Sequence, residues 1–293
     1  MKASPLFSVC IGACLILFSS ITPAQENGAA QQNGTSDSET PTERADRLYE
    51  TFASTAAGLD LKSQGGADVF KLQTQPLFRF TSDGDIFGSV YVWHDENQRL
   101  AVLGTIGSLP IQGVTVEFIE LHLLSPKPIE PVMINGFPTK RWTPRVDDLT
   151  MHPVPDAPEV AGTPAARLLQ MRSMARQFSS EMVNNGVKNQ LRLLPKPLYR
   201  YATPTQQHDG ALFAFVWDQG TDPEQVVRLE SIEVNGKVAW YYQPLRLTYR
   251  ELTLTHKGSE VWHVNEFFDR DQPLQNTPYI TGLTAPIPQP QPQ

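Results

Sequence analysis

Past residue 14 the sequence contains no cysteine. Both cysteines of the 293-residue chain, Cys10 and Cys14, fall near its start. Everything after them is therefore without disulfides, thiolate metal sites and cysteine nucleophiles. A concentration of basic charge is also lacking. The formal net charge is −7, and the densest basic stretch, residues 167–176, carries three arginines on an expected helix. A surface of that sign repels phosphate backbones, which makes nucleic acid a poor partner. Catalytic signatures are missing as well: there is no Gly-x-Ser-x-Gly elbow, no His-x-x-x-His pair and no glycine-rich phosphate loop. No catalytic residue, metal ligand or cofactor is assigned from the sequence.

One long apolar run is present, at residues 7–18, preceded by Lys2 and followed by Thr22-Pro23-Ala24. It reads as an export signal spanning residues 1–24, with a small residue before a cut at Gln25. The run is shorter than the about 20 apolar residues that cross a bilayer, so no transmembrane helix is expected in the mature chain. A lipoprotein reading takes Cys14 of Ile11-Gly12-Ala13-Cys14 as the lipid acceptor. It is less favoured, because processing there would split the apolar segment in its middle. The expected location is periplasmic or secreted.

The remainder divides by composition. Residues 25–39 are polar and aperiodic, which predicts a disordered spacer. Residues 269–293 form a Pro/Gln-rich tail, expected to be extended and solvated from Thr284 onward. Thr40-Pro41 with Glu43 opens a helix carrying Ala45, Leu48, Tyr49 and Phe52 at helical spacing. Thr163-Pro164 opens a second. Its expected stripe is Leu168, Met171, Met174, Ala175, Phe178 and Met182, closed by Asn184-Asn185-Gly186.

After each helix comes the same word. PLFRF at residues 76–80 and PLYRY at residues 197–201 stand 121 positions apart. Later segments correspond at offsets drifting between 120 and 126, with Asp83-Gly84 set against Asp209-Gly210, Asn135-Gly136 against Lys257-Gly258, and Trp142 against Trp262. Small loop insertions produce such a drift. The fold class expected is α+β: two repeated units, each a helix packed on an antiparallel sheet of five or six strands. The units cover residues 40–150 and 163–268, joined by a proline-rich link at 151–162. In the strand at residues 86–93, Phe87, Ser89, Tyr91 and Trp93 alternate with Ile86, Gly88, Val90 and Val92, so neither face is polar. Such a sheet must be covered twice. One cover is the preceding helix; the other is the sister unit, the sister helix or a ligand.

Candidate site residues follow from this layout. Arg79 and Arg200 each sit between two aromatics in the shared word. They either line an anion site or lie on the sheet with their heads paired or stacked, and their presence in both copies favours the structural role. Trp93, Trp217 and Trp240 line a binding surface or belong to the core. His94-Asp95, His208-Asp209 and Asp222-Pro223 read as turn residues. Glu120 and His122 share a strand face; they suit acid–base work or form an edge-strand polar pair.

The words LRLLPKPLYRY, DGALFAFVWDQGTDPEQVVRLESI, RWTPR and AARLLQMRSMARQFS carry one more signal. Through them the chain resembles a family of uncharacterised exported proteins common in planctomycete bacteria, over roughly residues 70–262. The resemblance implies an exported, bacterial setting and transfers no catalytic residues. The leading expectation is a cell-envelope binding or interaction protein without catalytic activity, its partner an envelope polysaccharide, lipid or protein. The alternative is a hydrolase with a His/carboxylate site assembled between the two repeats, using His122, Glu120 and an aspartate of the second copy. Two histidines and a carboxylate meeting in one pocket would mark the hydrolase.

Overall fold

The computed structural model describes residues 39–66, 68–147, 149–202, 209–218 and 220–289. The expected export signal, both cysteines, residues 25–38 of the expected spacer and His208 lie outside them. The fold is mixed α+β, mostly antiparallel sheet, with two α-helices among the described residues.

Helix α1 (Pro41–Gly58) starts where the sequence signals it. Thr40 Oγ1 accepts from Glu43 N at 3.3 Å and Glu43 Oε2 accepts from Thr40 N at 2.9 Å, a reciprocal capping box. Leu48, Phe52 and Ala56 form its buried stripe. There follow β1 (Lys71–Leu72), β2 (Phe78–Ser82), β3 (Ile86–His94), β4 (Leu100–Ile111) and β5 (Val114–Leu123), then the short β6 (Val132–Ile134), β7 (Lys140–Trp142) and β8 (His152–Pro153). Helix α2 (Pro164–Ala175) is capped by Thr163, whose side chain accepts from Ala166 N at 3.3 Å. After it come β9 (Phe178–Asn184), β10 (Val187–Leu193), β11 (Tyr199–Ala202), β12 (Asp209–Val216), β13 (Pro223–Val234), β14 (Lys237–Arg246), β15 (Glu251–His256), β16 (Ser259–Val264), β17 (Leu274–Gln275) and β18 (Tyr279–Pro286).

Three expectations are corrected here. The second helix ends at Ala175, not after Met182. Phe178, Ser180 and Met182 are buried alternate residues of β9, and Asn185-Gly186 turns a hairpin into β10. A spacing of four residues satisfies both a helical stripe and a strand face, so Phe178 and Met182 fitted either period. Asp209-Gly210 is not a turn: both residues lie in β12 and are buried. The expected tail is also largely structural, since β18 pairs antiparallel with β5, and Tyr279, Ile280 and Ile287 are buried.

Among the described residues the strands form sheets of six, nine and three. The first runs β1-β3-β4-β5-β18, with β2 also on β3. The second runs β16-β15-β9-β10-β12-β13-β14-β8, with β11 also on β12. Helix α1 packs on β3 and β4, α2 on β12 and β13. Leu48 and Phe52 of α1 pack with Tyr91, Trp93, Ile119 and Leu121 on one side of the first sheet. Met171 and Met174 of α2 pack with Phe213, Phe215, Val227 and Leu229 of the second. On the inside, Val90, Val92, Leu103 and Phe118 meet Leu212, Ala214, Val226 and Leu245. The inner faces of the two sheets thus pack on each other, with α1 on the outer side of the first sheet and α2, together with Phe178, Met182, Leu252 and Leu254 of β9 and β15, on the outer side of β12 and β13. Full burial of side chains of this size stabilises by about 1.5–3 kcal/mol each.

The two sheets also share strand registers. Phe78 pairs with Val90 and Tyr199 with Leu212. Gly107 pairs with Phe118 and Glu230 with Tyr241. The β4–β5 and β13–β14 hairpins turn through Gln112-Gly113 and Asn235-Gly236, all four residues having positive φ.

Candidate functional site

Strand β5 sends Ile119, Leu121 and Leu123 into the α1 cluster, so the alternate residues Glu120 and His122 face the second sheet. Both are buried. They do not form the edge-strand pair expected from the sequence, because β18 lies along β5 with Thr281 opposite Glu120 and Tyr279 opposite His122. The Tyr279 hydroxyl donates to Glu120 Oε1. From the second sheet, Glu224 shares the inner face of β13 with Val226. Asp222 precedes it, half-buried, and its Oδ1 is enclosed without a hydrogen-bond partner. Its reading as plain turn chemistry is corrected by this burial. Arg250 Nη1 stands 3.7 Å from Glu224 Oε2, and Arg250 Nε donates to Asn184 Oδ1 at 3.0 Å.

Burial decides the protonation of this cluster. It raises the Glu120 pKa to about 8, against the Tyr279 hydrogen bond and with the Glu224 carboxylate adding to it. Burial and the Glu224 and Glu120 carboxylates push Asp222 well above the usual carboxylate range. Burial raises Glu224 too, opposed by Arg250 and a Thr248 hydrogen bond. His122 goes the other way: burial lowers it to about 4, although its Nδ1 bonds the Leu123 carbonyl oxygen at 2.9 Å. Near neutral pH Glu120 is a neutral acid and His122 a neutral imidazole.

Two cavities flank the Glu120–Tyr279 bond. One, of about 350 Å³, holds Glu120, Asp222 and Glu224 against an apolar wall that includes Ile86, Leu109 and Leu247. Lys140 also lines it, but its Nζ is engaged by the Thr281 carbonyl at 2.6 Å and by that of Arg270. The other cavity, also about 350 Å³, holds His122 and His152 with Arg246, Gln243, Trp262 and Tyr279, and no carboxylate of the described residues lines it. Among the described residues, His122 and His152 are thus in one compartment and Glu120, Asp222 and Glu224 in the other. The carboxyls do not converge on one point as metal ligands would: among the described residues no group of three or more His, Asp or Glu side chains could hold a metal ion.

The residues singled out from the sequence do not gather. Arg79 is exposed and lies 4.7 Å over the Tyr49 ring of α1. Arg200 donates through Nε to Asp209 Oδ1 at 2.9 Å and through Nη2 to the Pro164 carbonyl of α2 at 2.6 Å. Each arginine ties its strand to its own helix. Trp93 and Trp240 are buried in different clusters, and Trp217 is half-buried under the Arg250 guanidinium, 5.7 Å away. His94 is not a solvated turn residue either; it is buried at the end of β3 with its Nε2 3.2 Å from the Tyr199 hydroxyl.

Sequence reasoning passed over Glu224, Tyr279 and Arg250, and took Asp222 for a turn residue. Glu224 carried no signal, because its strand face, shared with Arg228 and Glu230, reads as polar. Tyr279 carried no signal, since its partner lies 159 residues earlier. No described helix is long and apolar enough to cross a membrane. Comparison with protein-family models, with curated proteins and with solved structures finds no match in any of the three.

Proposed function

We propose that this chain is an exported binding protein of the bacterial cell envelope, without catalytic activity, made of two copies of one helix-on-sheet unit stacked back to back. Support for duplication comes from the strand registers. Phe78 and Tyr199, Val90 and Leu212, Gly107 and Glu230, and Phe118 and Tyr241 occupy matching ladder positions at offsets of 121 to 123 residues. Support for export is the apolar run at residues 7–18 and the resemblance to exported planctomycete proteins.

One observation carries the binding reading. The inner faces of the sheets bury each other and leave a cleft of about 350 Å³ in which Asp222 Oδ1 is enclosed without a partner beside an apolar wall. An apolar pocket with a few convergent polar groups is what small-ligand sites are made of. The cleft's cations are already engaged, so what it offers is carboxyl groups, which accept hydrogen bonds and, where burial keeps them protonated, also donate them. It suits a ligand with hydroxyl groups, donor and acceptor at once, on one side and an apolar flank on the other, such as a short stretch of envelope polysaccharide.

The hydrolase alternative needs histidine and carboxylate together, and their division between two cavities weighs against it. Thermal-shift titration with chitosan and cellulose oligomers tests the reading. Ligand binding raises the melting temperature by mass action. A rise in the wild type that disappears in Asp222→Asn supports it. No shift with saccharides, lipids or peptides counts against it, and turnover of a chromogenic glycoside or ester that Glu120→Gln abolishes would replace it with the hydrolase.

A further inference from the structure

Helix α2 runs 12 residues where α1 runs 18. Where it stops, a cavity of about 410 Å³ lies on the outer side of the second sheet. Leu191 and Leu193 of β10, Phe213 and Phe215 of β12 and Ala175 of the helix give it apolar walls. Arg172, in the last turn of α2, and Arg176, its C-cap, line it as well. These two belong to the three-arginine stretch that stands out in the sequence. Its third member, Arg167, is committed to Asp209, with Nε 3.1 Å from Oδ2.

Arg172 and Arg176 have no such commitment. Neither forms an ion pair with a carboxylate among the described residues, in a chain with 31 acidic side chains against 24 Lys and Arg. Arg172 Nε is buried and donates to no acceptor. Arginines in a last helical turn complement the carbonyl end of the helix, and that role suits solvated heads. It does not account for an enclosed N–H with nothing to bond, which native structures rarely tolerate. Arg172 and Arg176 both line the cavity with no carboxylate of the described residues paired to them, and a planar guanidinium matches a carboxylate or phosphate. The apolar walls behind it match an alkyl chain.

We propose that this cavity binds an anionic single-chain amphiphile. Its headgroup sits on Arg172 and Arg176, and its chain runs along Leu191, Leu193, Phe213 and Phe215. The site lies on the opposite face of the second sheet from the inter-sheet cleft and does not depend on it. A volume of this order is usual for small-molecule pockets.

Isothermal titration of the full folded protein with dodecanoate, dodecyl phosphate and dodecanol, below their aggregation thresholds, tests the proposal. The two anions are expected to bind at least about tenfold more tightly than the alcohol, a difference of about 1.4 kcal/mol. The tighter anion identifies the headgroup as carboxylate or phosphate. Arg172→Gln should weaken anion binding by a similar factor, and Arg176→Gln, at an exposed residue that leaves the fold intact, by a smaller one. Asp222→Asn should leave it unchanged, which separates this site from the cleft. Equal binding of alcohol and anions, no binding of either anion, or unaltered anion affinity in both arginine variants would overturn it.

Discussion

Tyr279, on the last strand, donates its hydroxyl to the carboxyl of Glu120 on β5, and this bond is the partition between a carboxylate cavity and a histidine cavity. Arg246 stacks over the Tyr279 ring at 5.0 Å, holding the partition from the second sheet. Protonated Glu120 is the form the interior favours, which gives the protein a defined response to pH.

The folded-state pKa of Glu120, about 8, lies above the ordinary value of 4.5, so the folded protein holds this proton over a window where the unfolded chain has lost it. The contribution is full below about pH 4.5 and is lost as pH rises towards 8. Asp222 and Glu224, also raised, act in the same direction. Stability should therefore fall as pH rises from 5 to 8, with each such group adding a slope of up to about 1.4 kcal/mol per pH unit. Urea denaturation across this range checks it: Glu120→Gln should flatten the curve and be more stable than wild type at pH 8. An unchanged slope in that variant would sink the assignment.

His122 has the opposite sign. Its folded-state pKa of about 4 lies below the ordinary 6.5, so its contribution is present above pH 6.5 and is lost as pH falls towards 4. His122→Leu should gain stability relative to wild type between pH 6 and pH 4.5, and show no such gain at pH 8. Histidine C2-proton titration by NMR gives the direct reading: one resonance should stay neutral to about pH 4.

Gly88 and Gly210 stand beneath aromatic rings, and a Cβ at either position would overlap the ring of Phe80 or Tyr201 respectively. Phe80 pairs with Gly88 and Tyr201 with Gly210 in the same place on their ladders. Gly88→Ala and Gly210→Ala should each cost about 1–3 kcal/mol by overpacking. Adding Phe80→Leu to the first should recover part of the loss. If the halves descend from one unit, the two glycine costs should agree within about a factor of two; a large cost at one site alone would speak against it.

Arg79 and Arg200 show how position within a repeated word can match while the energetics differ. Asp209 is fully buried and takes both Arg167 and Arg200, whereas Arg79 is exposed on Tyr49. Asp209→Ala leaves two guanidiniums uncompensated and should cost about 3–5 kcal/mol. Arg79→Ala should cost about 0.5–1 kcal/mol, the worth of an exposed cation–π contact. Chemical denaturation of the two variants compares them directly.

What the sequence made legible was local. The Thr40 and Thr163 caps and the alternation in β3 are encoded within a few residues, and they appear where expected. The double cover of the first sheet was also legible, because Phe87 to Trp93 leaves no face for water. The second helix was overdrawn because Phe178 and Met182 fit two periods. The carboxylate cluster stayed hidden for another reason. Glu120 gains its character from burial beneath the second sheet, with Glu224 adding to it and Tyr279 bonding it, both more than 100 residues away, and no spacing rule reaches that far. The closing of the first sheet by β18 was hidden in the same way, behind a composition of proline and glutamine.

That closing strand supports the last prediction. A solvated tail would tolerate any substitution, but Ile280 is 1% exposed in the α1 cluster and Ile287 is 6% exposed beside it. The Ile287 amide donates to the Thr115 carbonyl at 2.9 Å, extending the pairing past the end of β18. Ile280→Ala should cost about 2–5 kcal/mol, the usual cost of an aliphatic core truncation. Removing residues 274–289 altogether would expose the length of β5 as an unprotected edge, and the shortened chain should aggregate where the full chain does not. Light scattering of the two chains at equal concentration, with urea denaturation of Ile280→Ala, measures both effects. A shortened chain that stays monodisperse and unfolds at the same urea midpoint would mean that β18 is an ornament of the first sheet and not part of it.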